Sequence, residues 1–244
     1  MPKTASRSSS TATSITASPH PHRLHSRIGV GAAGGFYPAP GRYDLFLSQS
    51  CPRSLRISLT LDLLGLRDTV ATTVLASPGE SPAAYASLRR AYEATVHHFD
   101  GPLTVPALRD RWSGRIVSNH TPDILSSLAG PLSGDGEGRS CTLRPPHLAA
   151  DIDALCEVLD RDVAPTARPS ARRSALNLLD RRLSRHPFAL GESLTAADVD
   201  LWVALVHLDR SETLCAFPRL SAYVQRLGGL PAFRGAVGAV PDAA

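Results

Sequence analysis

The chain has 244 residues, 43% of them hydrophobic, which is long enough for one large or two modest domains with a sizeable core. Its 26 lysine and arginine residues exceed its 22 acidic residues by a formal charge of +4. These basic residues are scattered among the acids, which indicates solvated helix faces and no nucleic-acid partner. No apolar stretch approaches the ~18 residues that cross a bilayer, so no membrane association is predicted.

The N-terminal residues 1–33 are predicted to form a disordered or extended tail. They begin with a Ser/Thr-rich stretch that lacks the apolar run of a secretory signal, although its composition also resembles a transit peptide. The four cysteines, at positions 51, 141, 156 and 215, form no C-x-x-C pair and have no zinc-ligand spacing. A reduced, cytoplasmic protein without a metal site is therefore predicted.

The run from Gly41 to Leu66 predicts a strand, a tight turn and a helix. Pro52 suits the first helical turn because its missing N–H costs nothing there, and leucines at 55, 59, 63 and 66 recur at helical spacing. Cys51 is therefore expected at the N-terminus of the helix. Backbone N–H groups and the helix macrodipole favour the thiolate there, so Cys51 is the candidate nucleophile.

The order of the next predicted elements is typical of a thioredoxin-like α/β domain over residues 34–130, with β-α-β followed by β-β-α. The elements are a strand within 68–76, a helix or irregular insertion at Ser81–Val96, strands at Leu103–Arg109 and Arg115–Val117, and a helix from about Thr121. His97 and His98 are candidate acid/base partners of Cys51, but a position before Gly-Pro favours an exposed loop.

The second half of the chain is predicted to be an all-helical domain over residues 147–236. Residues 131–146 are rich in Gly, Pro and Ser and indicate a linker, and 237–244 form a tail. Thr195 and Asp198 fit a helix capping box, which explains Asp198 without a catalytic role. Helices are predicted at His147–Asp160, Ala171–Arg185, Thr195–Leu208 and Pro218–Leu227.

Several segments together resemble the glutathione S-transferases, and most closely their xi class, the glutathionyl-hydroquinone reductases. The chain has a Cys-Pro helix start, a Val-Pro before the third strand, a linker, and a helical domain with an L-T-x-A-D motif. The segments that carry the resemblance lie between residues 34 and 235 and are GGFYPAPGRYDLFLSQSCPRSLR, LTVPALRDRWSGRIVSN and ALNLLDRRLSRHPFALGESLTAADVDLWVALVHLD. The resemblance implies a thioredoxin-like domain followed by an all-α domain, and an enzyme that acts on thiol conjugates.

The resemblance also implies roles for individual residues. Cys51 would accept the thiol moiety of a conjugate as a mixed disulfide that a second thiol resolves, and Arg56 would stabilise its thiolate. Val105–Pro106 matches the cis-proline turn of thioredoxin-like folds. The implied thiol-binding residues are Arg53, Thr104, Val105, Pro106, His120 and Thr121. The implied cosubstrate is glutathione or another low-molecular-weight thiol, the substrate is a quinone-like or electrophilic small molecule, and the assembly is a homodimer.

Some positions depart from the xi pattern. Arg53 replaces a Trp, and His120-Thr121 replaces the Glu-Ser that holds the γ-glutamyl ammonium and carboxylate. Thr121 and the helix N-terminus can still receive a carboxylate, whereas His120 supplies no counter-charge to an ammonium. The segment between Asp160 and Ala171 is shorter than in the family and lacks the tyrosine expected for the hydroquinone oxygen.

Three hypotheses therefore remain open for the function. The protein binds glutathione weakly, or it uses another thiol such as mycothiol, in a reductase or in a tailoring enzyme, or it is a non-catalytic binding protein on the same fold. Cys141, Cys156 and Cys215 have no electropositive neighbours in sequence and are expected to be inert.

Overall fold

The computed structural model describes residues 23–29, 35–133, 142–208 and 214–237. The residues outside these ranges are 1–22, 30–34, 134–141, which is half of the predicted linker and includes Cys141, 209–213 and the tail from residue 238. Within the described ranges, no helix is both long and apolar enough to cross a membrane.

The first half of the chain forms a four-stranded mixed sheet in the order β2-β1-β3-β4. Strand β1 pairs in parallel with β2 and antiparallel with β3, which pairs antiparallel with β4. The elements are β1 Tyr43–Ser48, α1 Pro52–Leu63, β2 Ala71–Leu75, α2 Pro82–Thr95, β3 Ala107–Asp110, β4 Ile116–Ser118 and α3 Thr121–Ala129. This is the predicted β-α-β then β-β-α order, and α2 realises the helical alternative for residues 81–96.

Strand β1 is buried along its whole length because helices cover both faces of the sheet. Tyr43, Leu45 and Leu47 pack on the face that carries α1 and α3, whereas Phe46 packs on the opposite face with α2 residues such as Leu88. The alternation in the sequence thus separates two cores, one on each side of the strand.

The second half is helical, as predicted. Its elements are a 3₁₀ turn at Pro146–Leu148, α4 Ala149–Val158, a π turn at Leu159–Val163, α5 Pro169–Arg182, α6 Ala196–Val206, a 3₁₀ turn at Leu214–Ala216, α7 Pro218–Gly228 and α8 Pro231–Val237. Trp202 is fully buried at the centre of this half and meets the ring of Phe233 edge-on at 5.2 Å.

Asp198 ties several of these helices together. Its Oδ2 accepts the Thr195 N–H at 2.8 Å and closes the predicted capping box of α6. Its Oδ1 accepts the Ala189 N–H and the Tyr223 hydroxyl, both at 2.7 Å. The carboxylate is fully buried, so its role is to bond donors of the fold.

Two predicted boundaries are wrong in detail. The strand expected at Leu103–Arg109 begins only at Ala107, because the preceding residues form the turn around Pro106, which has no N–H for a ladder. Leu66, expected on the first helix, lies beyond its last residue Leu63 but is still buried.

Helix α1 belongs to both cores. Leu55 and Leu59 pack in the core of the helical half, whereas Ile57 and Leu61 pack under the sheet. These pairs lie on different faces of one helix, so α1 is the packing surface between the two halves.

Candidate active site

Cys51 is the N-cap residue of α1, as the sequence predicts. Its backbone is extended, with φ −96° and ψ 115°, and Pro52 occupies the first turn. The first N–H groups of a helix lack partners within it, so they point toward this end. The half-buried thiol donates to the Val105 carbonyl, with Sγ and oxygen 3.9 Å apart. Cys51 therefore lies between a helix N-terminus and the backbone of the Val105–Pro106 turn.

The Val105–Pro106 peptide bond is cis, as the resemblance implied. The side chain of Thr104, one residue earlier, is used within the fold, since its Oγ1 lies 2.6 Å from the Tyr92 hydroxyl and 3.2 Å from Asn119 Nδ2. The Thr104 carbonyl also accepts from the Tyr92 hydroxyl at 3.0 Å, so the role of Thr104 in thiol binding stays a prediction.

A cleft of about 800 Å³ lies between the two halves, next to Cys51. Its lining includes Pro52 and Arg53, which follow Cys51 in the chain, and also His120 and Thr121. The predicted site residues that are not among its lining residues are Cys51, Thr104, Val105 and Pro106. Its walls include α4 and α6 of the helical half. The structure thus brings three of the predicted thiol-binding residues, Arg53, His120 and Thr121, to one cavity that is large enough for a thiol conjugate.

Thr121 is the first residue of α3, where unpaired backbone N–H groups favour an anion. Its side chain is only 7% exposed, and its Oγ1 has no hydrogen-bond partner among the described residues. A buried hydroxyl without a partner is costly, so this side chain has an unmet donor beside the cleft.

His120 belongs to a network that was not predicted, because it depends on the N-terminal segment 23–29. This segment is extended along β4, with a bridge between His25 and Ser118. His25 Nδ1 and His120 Nδ1 lie 2.9 and 3.0 Å from Asp123 Oδ2, and Arg27 Nε donates to Asp123 Oδ1 at 2.7 Å. Burial alone raises the pKa of Asp123, but Arg27, His25 and His120 outweigh it and hold that pKa below its usual value.

The same network is the one group of potential metal ligands within the described ranges. The donor atoms of His25, His120 and Asp123 lie within 4.8 Å of one another. Arg27 holds the other carboxylate oxygen, and the positive end of α3 faces the group, so a cation is disfavoured there. The sequence prediction of no metal stays a prediction.

Arg56 is directed at the helical half. Its Nη2 lies 3.3 Å from Asp160 Oδ1, and its Nε lies 3.3 Å from Asp200 Oδ1. Its charge is therefore shared with two carboxylates across the cleft. The role beside the Cys51 thiolate that the resemblance implied for Arg56 stays a prediction.

Cys156 has no electropositive neighbour in the sequence, but it has one in the folded structure. Arg56 lies near the Cys156 thiol although the two residues are a hundred positions apart in the chain. Burial and the Asp200 carboxylate nevertheless raise the pKa of Cys156 to about 12, so it stays a thiol. Cys215 is exposed, as are His97 and His98, as expected for a loop.

Comparison with known proteins shows which proteins this chain is similar to. The family model for the glutathione S-transferase C-terminal domain matches residues 168–226. The glutathionyl-hydroquinone reductase YqjG of Escherichia coli is 26% identical, over 83% of this chain and 71% of that protein. The reductase PcpF of Sphingobium chlorophenolicum is 24% identical, over 84% of this chain and 77% of that protein.

Solved structures agree. The xi-class glutathione transferase of Phanerochaete chrysosporium has a TM-score of 0.73 at 23% identity, over 89% of this chain and 88% of that one. The glutathione-bound YqjG structure has a TM-score of 0.71 at 22% identity, over 90% of this chain and 85% of that one. The protein has the glutathione S-transferase fold, a thioredoxin-like domain followed by a helical one.

The chain is similar to xi-class glutathione transferases and to glutathionyl-hydroquinone reductases, which confirms the resemblance found in the sequence. The prediction of a glutathione S-transferase-like enzyme is confirmed at the level of this class.

Proposed function

We propose that this protein is a thiol-dependent reductase that uses Cys51 to remove a thiol from an aromatic thiol conjugate. The observation that carries the proposal is the position of Cys51, at the N-terminus of α1, beside the Val105 carbonyl and one residue before Pro52, which lines the cleft. The names of the relatives, glutathionyl-hydroquinone reductases, support a glutathione-dependent reductase or transferase function.

In the proposed reaction the Cys51 thiolate attacks the sulfur of the conjugate. The carbon–sulfur bond breaks, a disulfide forms between Cys51 and the thiol moiety, and the aromatic carbon takes a proton to give the free hydroquinone. A second thiol then attacks this disulfide, releasing a disulfide product and the Cys51 thiolate. The aromatic carbon gains two electrons, which the two sulfurs lose when they join.

Glutathione is the first proposed cosubstrate, since the similar YqjG was solved with glutathione bound. Thr121 and the N-terminus of α3 would bind its carboxylate, and the backbone at Val105 would face its cysteinyl residue. Arg53 also lines the cleft and adds positive charge for an anionic ligand.

A different thiol is the second candidate, and the surroundings of His120 favour it. Asp123 is the carboxylate beneath this position, but its two oxygens are already bonded to Arg27, His25 and His120. No spare anion therefore remains there for an ammonium group. A thiol of the mycothiol type has no ammonium group, so its binding does not require a charged group to be buried without a counter-charge.

The remaining expectations are part of the same proposal. We propose domains at 34–130 and 147–236 and a cytoplasmic location, as the sequence predicts, and a homodimer, as the resemblance implies. A non-catalytic binding protein on this fold is the alternative if Cys51 forms no adduct.

Intact-protein mass spectrometry tests the proposal directly. The wild-type protein is mixed with a glutathionyl-hydroquinone, and separately with the mycothiol conjugate, without any free thiol. We expect a mass increase equal to one thiol moiety, which peptide mapping locates on Cys51, and its size identifies the cosubstrate. If the folded protein gains no mass from either conjugate, the reductase proposal is refuted.

Replacement of Thr121 by valine should separate binding from stability. The isosteric change removes the hydroxyl proposed to bind the ligand carboxylate, so the Kd for the thiol should rise about tenfold. The melting temperature should stay the same or rise, because a buried hydroxyl without a partner is replaced by a methyl group. Calorimetry measures both quantities.

The matched control is Thr73→Val on β2, outside the cleft lining, which should leave the Kd unchanged. An unchanged Kd in Thr121→Val would remove Thr121 from the thiol site.

A further inference from the structure

The wall of the cleft carries a cluster of polar side chains to which both halves of the chain contribute. Arg56 comes from α1, Cys156 from α4, Asp160 from the π turn and Asp200 from α6, and all four line the cleft. Because they come from both halves of the chain, they meet where a bound ligand would contact both.

Arg56 and Asp200 form an ion pair that leaves the Nε–H of Arg56 without a hydrogen bond. Nε of Arg56 lies 3.3 Å from Asp200 Oδ1, yet this buried N–H forms no hydrogen bond within the described part of the chain. Asp160, which is largely exposed, bonds only the Nη2 end of the guanidinium, also at 3.3 Å. The guanidinium thus keeps a donor capacity that the protein does not meet, and an unmet buried donor costs free energy.

Asp200 presents the complementary acceptor. Its side chain is 8% exposed and projects from the middle of α6 to the wall of the cleft. Burial raises the pKa of Asp200 and Arg56 opposes this rise. A further hydrogen bond would stabilise a carboxyl group that is this deeply buried, because hydrogen bonds are stronger away from water.

The surface around this pair is aliphatic. It suits a flat apolar body such as an aromatic ring, with the two polar groups fixing its orientation. The apolar lining residues on this side are Ile152, Leu159, Val163, Val199 and Val203.

A hydroxyl group both accepts from an N–H and donates to a carboxylate. A ligand carboxylate would be repelled by Asp160 and Asp200, and a carbonyl or an ether has no proton to donate to Asp200. The pair therefore discriminates by hydrogen-bonding type as well as by charge.

We propose that Arg56 and Asp200 bind a hydroxyl group on the aromatic part of the conjugate, and so select phenolic substrates over their ethers. This inference rests on the proposed function for the identity of the ligand as an aromatic thiol conjugate. It places the phenol on the helical wall and the thiol moiety at the end of the cleft nearest Cys51.

The test uses aromatic probes that need neither a thiol nor a reaction at Cys51. Calorimetric titration compares 1-naphthol with 1-methoxynaphthalene on the full-length protein. Wild type should bind the naphthol about tenfold more tightly than the ether, since the ether has no proton to donate to the buried carboxylate of Asp200. In Asp200→Leu this ratio should fall to about one, with the affinity for the ether kept or raised.

Two further variants keep the test decisive. Asp200→Asn, close to isosteric, should retain an intermediate ratio if Asp200→Leu folds poorly. Asp62→Asn, on α1 but outside the cleft lining, should keep the wild-type ratio. Equal binding of the two probes by wild type, or an unchanged ratio in both Asp200 variants, overturns the proposal.

Failure of this subsite and failure of the reductase chemistry have different signatures. A Cys51 adduct without discrimination between the probes refutes only the subsite. Discrimination without an adduct supports the subsite and refutes the reaction.

Discussion

Cys51→Ser is expected to lower the rate of conjugate reduction at least ~1000-fold, equivalent to about 4 kcal/mol of transition-state free energy. A serine hydroxyl is a weak nucleophile at neutral pH and cannot form a disulfide with the departing thiol. The fold should be unaffected, since serine is a favoured N-cap residue and Cys51 occupies that position in α1. Chromatographic measurement of the released hydroquinone gives the rate, and thermal unfolding gives the stability.

The matched control is Cys215→Ser, which removes an exposed thiol from the helical half. It should reduce the conjugate at the wild-type rate. A Cys51→Ser protein that retains a tenth or more of the wild-type rate would show that the chemistry runs through another group.

Asp198→Asn is expected to reduce the free energy of unfolding by about 3 kcal/mol, a typical cost of disturbing a buried, fully bonded charge. The carboxylate accepts from the Thr195 N–H, the Ala189 N–H and the Tyr223 hydroxyl, and it is fully buried. An asparagine directs an NH₂ group at one or two of these donors, which leaves them unpaired. Urea unfolding followed by circular dichroism measures the change.

Tyr223→Phe is the graded comparison. It removes one donor and leaves the rest of the network, so the expected loss is about 1 kcal/mol. Burial and then Asp198 raise the pKa of Tyr223 well above its usual value, so its hydroxyl remains a donor across the working pH range. A loss in Asp198→Asn no larger than that in Tyr223→Phe would refute the central role of Asp198 in the helical half.

The sequence predicted the fold well because its signals are local. Pro52 after Cys51, the alternation along β1 and the Thr195–Asp198 box each lie within a few residues, and each forms as expected. The errors in the sheet half concern where an element starts or ends, as at Ala107, where tertiary pairing decides the boundary.

The candidate site was only partly predictable because its second half is assembled from distant segments. No pattern in the sequence links Arg56 with Asp160 and Asp200, which are more than a hundred residues further along. The contact of His25 and Arg27 with Asp123 was equally invisible, since the residues before the first strand carry no periodicity. Ion pairs between distant segments of a chain produce no pattern in the sequence around either residue.

Helix α1 couples the position of Cys51 to the packing of the two halves against each other. The residue at its first end is the proposed nucleophile, and its flanks are embedded in both cores through Leu55, Leu59, Ile57 and Leu61. A displacement of one half relative to the other must move α1 or break its packing against one core, and Cys51 moves with the helix. We therefore expect heating to lower the activity by loosening the contact between the two halves before either core unfolds.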